Sequence, residues 1–291
     1  MLGKHLLGLY EKALDPSDSW ETRLKKTKSL GFDFLEISID ESDERLARLD
    51  WSRAQIEELR RLCYEAEVSI QSMCLSAHRR FPFGSSDPSV RARAHEIMEK
   101  AIDFSAALGI RVIQLAGYDV YYEDSTPESV KLFREGMVWA TEKAAQKQVM
   151  LAMEIMDTPF MNSISKHMAY EGMLHSPWYK VYPDLGNISA WPENDVDFEL
   201  ARGISSIVQI HLKDTLAVTK DFPGKFKCIP FGSGCVDFPR RFAQLEELGY
   251  RGPYMIEMWY AEGTDDCAEA AKAKQWLTEQ FCVGTGQTLP G

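Results

Sequence analysis

Four side chains with metal-binding chemistry close four consecutive apolar runs in the second half of the chain. They are Glu154 in Leu-Ala-Met-Glu-Ile-Met-Asp157, Asp184 in Val-Tyr-Pro-Asp-Leu-Gly186, His211 in Val-Gln-Ile-His-Leu-Lys-Asp214 and Glu257 in Tyr-Met-Ile-Glu-Met-Trp259. Taken singly, each reads as a strand-end polar group that meets solvent or caps the next helix. Four in succession read as one shared site. Burying three carboxylates together is costly unless a cation compensates them. One imidazole with three carboxylate oxygens suits a single divalent ion, Zn²⁺, Mn²⁺, Co²⁺ or Mg²⁺, with positions left for substrate oxygens.

Around this set stand further candidates. Glu36 ends Phe-Leu-Glu-Ile-Ser in the same manner and fits an orienting group behind the ligands, a partner for a substrate hydroxyl, or a partner for a lysine at the barrel mouth; Asp214 is placed with it outside the ligand set. Three carboxylates and a divalent ion leave about one negative charge, so an anionic substrate would need local cations. Lys12, Arg79, Arg80 and Lys213 follow apolar runs and supply them, unless they are ordinary surface cations. Arg79-Arg80, beside His78 and close to Ser76, is the favoured phosphate clamp because guanidinium binds phosphate bidentately. Asn162 and Ser163 would add neutral donors, although Ser163 could instead cap a helix. His5, His95, His167 and His175 read as terminal or packing residues.

The elements that must carry these residues repeat one unit: a short apolar run, a polar loop, then an amphipathic helix ending near glycine. Strands are expected at Leu6–Tyr10, Phe34–Ser38, Ser69–Leu75, Val112–Leu115, Met150–Glu154, Lys180–Asp184, Ser206–His211 and Pro253–Glu257. Asp87-Pro88, Thr126-Pro127 and Ser52-x-x-Gln55 mark helix starts. Gly31, Gly109 and Gly249 mark stops before the next strand. Eight strands alternating with helices predict an α/β fold with a parallel sheet, closed as a single (β/α)8 TIM barrel. An open doubly wound sheet would carry a glycine-rich turn after its first strand, and Tyr10-Glu-Lys-Ala13 has none. Gly232-Ser-Gly234 opens no such fingerprint and reads as a turn. The barrel domain is expected to span residues 1–281, followed by a flexible tail at 282–291.

Composition narrows the function. With 291 residues, 33 Lys+Arg and 44 Asp+Glu, the formal charge is −11, which argues against a nucleic-acid partner. A hydrophobic content of 45% supplies a full core. No apolar stretch approaches the roughly 18 residues of a membrane span, and the N-terminus lacks a signal pattern. The six cysteines form no C-x-x-C pair, so a reduced cytoplasmic setting is expected.

The strings Cys-Leu-Ser-Ala-His-Arg-Arg-Phe-Pro (74–82), Ile-Gln-Leu-Ala-Gly-Tyr-Asp-Val-Tyr-Tyr (113–122), Ala-Met-Glu-Ile-Met-Asp (152–157), Tyr-Pro-Asp-Leu-Gly-Asn (182–187), His-Leu-Lys-Asp (211–214) and Ile-Glu-Met-Trp (256–259) closely resemble bacterial L-ribulose-5-phosphate 3-epimerases, within the xylose-isomerase-like barrels. The resemblance runs from about Leu7 to about Phe281. It implies a metal-dependent isomerase of L-ascorbate and pentose utilisation, with Glu154, Asp184, His211 and Glu257 as ligands and Glu154 and Glu257 as the acid/base pair. The implied reaction interconverts L-ribulose 5-phosphate and L-xylulose 5-phosphate by moving the C3 proton through a metal-stabilised enediolate. Another sugar isomerase or a polyol dehydratase on the same barrel is the alternative. An abasic-site endonuclease and a non-catalytic sugar-binding protein rank lower. A homo-oligomer, a dimer first, is the base-rate expectation.

Overall fold

The computed structural model describes residues 1–288. Eight strands form one parallel sheet: β1 (Leu7–Tyr10), β2 (Phe34–Ile39), β3 (Ser69–Leu75), β4 (Val112–Leu115), β5 (Met150–Glu154), β6 (Tyr179–Tyr182), β7 (Ile210–Leu212) and, after an inserted hairpin, β10 (Tyr254–Ile256). Their order is β6-β5-β4-β3-β2-β1-β10-β7, and the bridges Val181↔Ile207 and Asp184↔His211 bring β6 to β7. The result is the expected barrel, nearly closed.

Alternation along the strands separates two layers. Leu7, Leu9, Leu35, Ile37, Ile113, Leu151, Val181, Ile210 and Ile256 join the large core shared with the helices. The intervening residues face the barrel lumen, where Tyr10, Phe34, Cys74 and Met255 pack together. Gly8 makes room for them, since a Cβ there would come within 2.3 Å of the Phe34 ring. Beside that apolar group the other lumen positions are polar, including Glu36, Ser72, Gln114, Glu154, Tyr182, Gln209 and His211, all buried, and Glu36, Gln114 and His211 are the register partners of Tyr10, Cys74 and Met255.

The start and stop signals act as anticipated. Asp87 and Thr126 cap the helices Pro88–Leu108 and Pro127–Lys147, and Ser52 and Gln55 form a capping box. Gly31, Gly109 and Gly249 adopt positive φ at their helix ends.

Three expectations change. The seventh strand is shorter than Ser206–His211, because Ser206 belongs to a helical turn, Ile204–Ser206. The last helix, Asp266–Thr285, continues four residues past Phe281 and ends where Gly286 takes φ +68°, so the expected tail at 282–291 begins as helix; residues 289–291 lie outside the described residues. An antiparallel hairpin, β8 (Asp214–Leu216) with β9 (Lys225–Ile229), follows β7 and was not anticipated. Among the described residues no helix is long and apolar enough to cross a membrane.

Candidate metal centre

The four strand-end residues converge. Glu154, Asp184, His211 and Glu257 are buried, and one ligand atom from each lies within 4.8 Å of all the others. His211 organises the set. Its Nδ1 lies 3.2 Å from Glu154 Oε1, 3.7 Å from Glu257 Oε2 and 3.9 Å from Asp184 Oδ2, while its Nε2 faces Glu36 Oε1 at 3.1 Å. Glu36 therefore occupies the first of its three expected places, behind the histidine.

The helix-cap reading of Asp184 is also correct, for half of the carboxylate. Its Oδ1 accepts a hydrogen bond from the Asn187 backbone N–H at 2.8 Å, at the start of the short helix Leu185–Ser189. Capping turns Oδ2 toward the centre. Glu154 is fixed from the side by Gln114, whose amide donates to Glu154 Oε2.

These residues fit a divalent ion. Asp184 Oδ2 and Glu257 Oε2 are buried acceptors without a well-directed hydrogen bond, although Lys213 Nζ stands at ion-pair distances of 2.8 and 2.9 Å from them. Separations up to 4.8 Å can be spanned by an ion about 2.0–2.5 Å from each donor. Electrostatics agree. Burial raises the Glu154 and Asp184 carboxyls above their ordinary values. For Glu257 burial works the same way, but Lys213 and then His211 outweigh it and hold the carboxyl low. Concentrated negative charge also raises His211 and Lys213 above their ordinary values, against the lowering effect of burial. The cluster demands positive charge.

Above the cluster a mouth is lined by Tyr10, Lys12, Ser76, Arg79, Asp157, Lys213, Lys227 and Trp259, among others. Lys12, Ser76, Arg79 and Lys213 thus lie where expected. Lys12 pairs with Asp40 at 2.5 Å and Lys213 with the carboxylates. Arg79 and Lys227 form no ion pair among the described residues. The Arg79 guanidinium packs over Tyr118 and Tyr121, at 5.5 and 5.4 Å from the ring centroids, and its buried Nε lacks a partner. Lys227 reaches the mouth from β9, 5.9 Å from the Trp259 ring centroid. Partial desolvation, and secondly the Arg79 charge, pulls its pKa below the ordinary lysine value.

Five expected residues lie elsewhere. His78 is buried beneath its loop, stacked on Phe83, with Nε2 3.2 Å from the Ala94 carbonyl oxygen. Arg80 points outward to Asp43 and the Glu41 carbonyl oxygen, because consecutive residues of a tight turn diverge. Asn162 is held by Glu193 and Lys166, and Ser163 caps the helix Ile164–Leu174. Asp214 does not touch the ligands. Its Oδ2 accepts from the Gly232 and Gly234 N–H groups at 2.9 Å each, which fixes the segment following β9. A Cβ on Gly234 would stand 2.1 Å from Asp214 Oδ1, so that glycine is required by close approach.

Sequence reasoning passed over Gln114, Asp157, Lys227 and Trp259. Gln114 had a usable signal: it is the polar residue inside Val-Ile-Gln-Leu, and alternation aims it into the lumen. For Lys227 the signal was Lys-Phe-Lys-Cys-Ile, whose alternation marks a half-exposed strand.

Residues 24–280 match the family model described as xylose isomerase-like TIM barrel. The chain is 58% identical over 273 residues to the Escherichia coli (strain K12) protein named "Putative L-ribulose-5-phosphate 3-epimerase SgbU", covering 94% of this chain and 95% of that one. It is 55% identical over 278 residues to L-ribulose-5-phosphate 3-epimerase UlaE of Escherichia coli (strain SE11), covering 95% of each. Among solved structures, D-psicose 3-epimerase with D-tagatose from Clostridium cellulolyticum superposes with a TM-score of 0.78 at 16% identity, over 95% of this chain and 99% of that one, a likeness of fold. The chain belongs to the xylose isomerase-like TIM barrel family and, within it, to the group of the L-ribulose-5-phosphate 3-epimerases.

Proposed function

We propose that the protein is a metal-dependent 3-epimerase interconverting L-ribulose 5-phosphate and L-xylulose 5-phosphate. The observation that carries this reading is the juxtaposition of two buried glutamates on one ligand cluster, Glu154 and Glu257, with a mouth whose Arg79 and Lys227 form no ion pair among the described residues. The C3 hydrogen of a 2-ketose is acidified by the adjacent carbonyl, and inverting that carbon takes one group to remove the proton and another to return one on the opposite face. Glu154 ends β5 and Glu257 follows β10, three strands apart around the ring, so they approach a substrate from different sides. Glu154, Asp184, His211 and Glu257 would hold a divalent ion, which would supply positive charge beside the carbonyl end of the substrate. Zn²⁺, Mn²⁺, Co²⁺ and Mg²⁺ all accept this mixture of one nitrogen and three oxygens.

Arg79 and Lys227 serve the other end of the substrate. A phosphate gains more from a cation that has no carboxylate to leave, and the Arg79 fork can bind two oxygens at once. Lys12, already paired with Asp40, contributes less. Tyr10 and Trp259 wall the mouth and exclude water from the carbon being inverted.

The deciding experiment is NMR-detected interconversion of the two pentulose 5-phosphates in D₂O, with and without a chelator. Deuterium is expected at C3, and chelation is expected to abolish turnover. Turnover without C3 label would sink the proton-transfer chemistry, and full turnover under excess chelator would sink the metal requirement.

A further inference from the structure

Beneath the ligand cluster, four buried polar side chains close a hydrogen-bonded ring that touches the site through Glu36, which faces His211 Nε2, and through the Tyr182 ring, which packs edge-on against His211 with centroids 4.4 Å apart. Glu36 Oε2 lies 2.5 Å from Ser72 Oγ and 3.0 Å from Tyr182 Oη. Gln209 Nε2 lies 3.1 Å from the same Ser72 Oγ and 2.5 Å from the same Tyr182 Oη. All four residues are 2% exposed or less. They come from β2, β3, β6 and the residue preceding β7, and so tie strands across the lumen. The register helps. The β2–β3 ladder pairs Leu35 with Ile70 but Glu36 with Ser72, and this irregularity brings the serine opposite the glutamate.

Hydrogen-bond direction follows from chemistry. The Gln209 NH₂ group has two protons and can only donate, so each hydroxyl accepts from it. Each hydroxyl then has its own proton free, and the nearby acceptor is Glu36 Oε2. That oxygen is saturated by two donors, which leaves Oε1 to accept the Nε2–H of His211 at 3.1 Å. With Nε2 carrying that proton, the lone pair of a neutral His211 is on Nδ1, facing Glu154, Asp184 and Glu257.

We infer that Gln209 is a positioning residue for the metal centre. Through Ser72, Tyr182 and Glu36 it fixes the His211 tautomer that presents Nδ1 to a cation. The inference rests on the metal reading above and adds the part that makes the histidine a ligand. Groups that orient a ligating histidine typically contribute ~10–100-fold in metal affinity.

The test measures metal binding without substrate. Metal-free protein is titrated with Zn²⁺ against a chelating indicator, for wild type, Gln209→Met, Glu36→Gln and the double variant. Gln209→Met keeps the side-chain volume and removes both donors; a loss of about 10-fold in Zn²⁺ affinity is expected. Because Gln209 acts through Glu36, the double variant should bind no more weakly than Glu36→Gln alone. Unchanged affinity in Gln209→Met, or losses that multiply in the double variant, would overturn the inference. If Gln209→Met does not fold, Tyr182→Phe removes one link and carries the same two criteria. The visible absorption of bound Co²⁺ should shift in these variants while the urea-unfolding midpoint of the metal-free protein stays that of wild type, which separates a changed ligand field from a general structural defect. Wild-type protein that takes up neither Zn²⁺ nor Co²⁺ overturns the metal reading itself, an outcome distinct from wild-type binding that Gln209→Met leaves intact.

Discussion

At the floor of the barrel mouth, Glu154, Asp184 and His211 project from strand ends, are almost wholly buried, and are each held by a neighbour: Gln114, the Asn187 backbone and Glu36. At its rim, Arg79 and Lys227 project from a turn and from a hairpin strand, have no ion-pair partner among the described residues, and rest against aromatic rings. The difference is instructive. A metal centre needs donors fixed before the ion arrives, because three carboxylates will not stay together unaided. A phosphate subsite gains from cations that have no internal partner to give up. Rigid floor and unpaired rim therefore divide the work, and the variants below strain that division in order of expected effect.

Changes at the floor should be the most damaging. Glu154→Gln and Glu257→Gln each keep size while removing the proton-transfer group, and general acid–base catalysis contributes ~10²–10⁴-fold. Steady-state assays should show kcat falling by about that factor with KM little changed. A variant that keeps near-normal kcat would remove that glutamate from the proposed pair and blur the contrast with the rim.

At the rim the expected loss is smaller and lies in binding. Arg79→Met and Lys227→Met each delete one charge-assisted contact to phosphate, about 1.5–3 kcal/mol or roughly 10–100-fold in KM for the pentulose 5-phosphates. Turnover of unphosphorylated L-ribulose should be unaffected. Arg80→Met is the internal control, since Arg80 points outward to Asp43 and should change neither parameter. Equal KM effects at Arg79 and Arg80 would dismantle the distinction between the two adjacent arginines.

How far the sequence reveals these two regions follows from the backbone that carries them. A polar residue ending an apolar run is visible in one dimension, and strand alternation then aims it into the lumen; Glu154, Asp184, His211, Glu257 and Glu36 were all legible this way. Asp184 was legible twice, because its cap and its free oxygen are two halves of one group. Turn residues carry no such rule. His78, Arg79 and Arg80 are consecutive, and whether each points into the barrel, into the mouth or outward depends on the local 3₁₀ geometry of Ala77–Arg79. Lys227 comes from the inserted β8–β9 hairpin, which the eightfold repeat gave no reason to expect. The Glu36–Ser72–Gln209–Tyr182 ring depends on contacts between residues up to 146 positions apart, which no local pattern encodes.

His78 gives the smallest effect and the clearest demonstration that its loop faces two ways. Burial against Phe83, with some help from His95, lowers its pKa from the ordinary 6.5 to about 4, although the Ala94 carbonyl opposes the shift. The sign follows. Below pH 6.5 the unfolded chain takes up a proton on this ring that the folded protein refuses until about pH 4, so stability is lost as pH falls through that window. Between pH 7 and pH 5 this single group accounts for about 2 kcal/mol. His78→Phe keeps the ring stack and removes the titration. Urea unfolding of the variant should therefore lose about 2 kcal/mol less than wild type over the same interval. Its kcat and KM should match wild type, because the ring lies beneath the loop and not in the mouth. An identical acid loss in both proteins would show that His78 does not stay neutral in the fold. A raised KM for the phosphorylated substrate would return it to the rim, from which its buried position separates it.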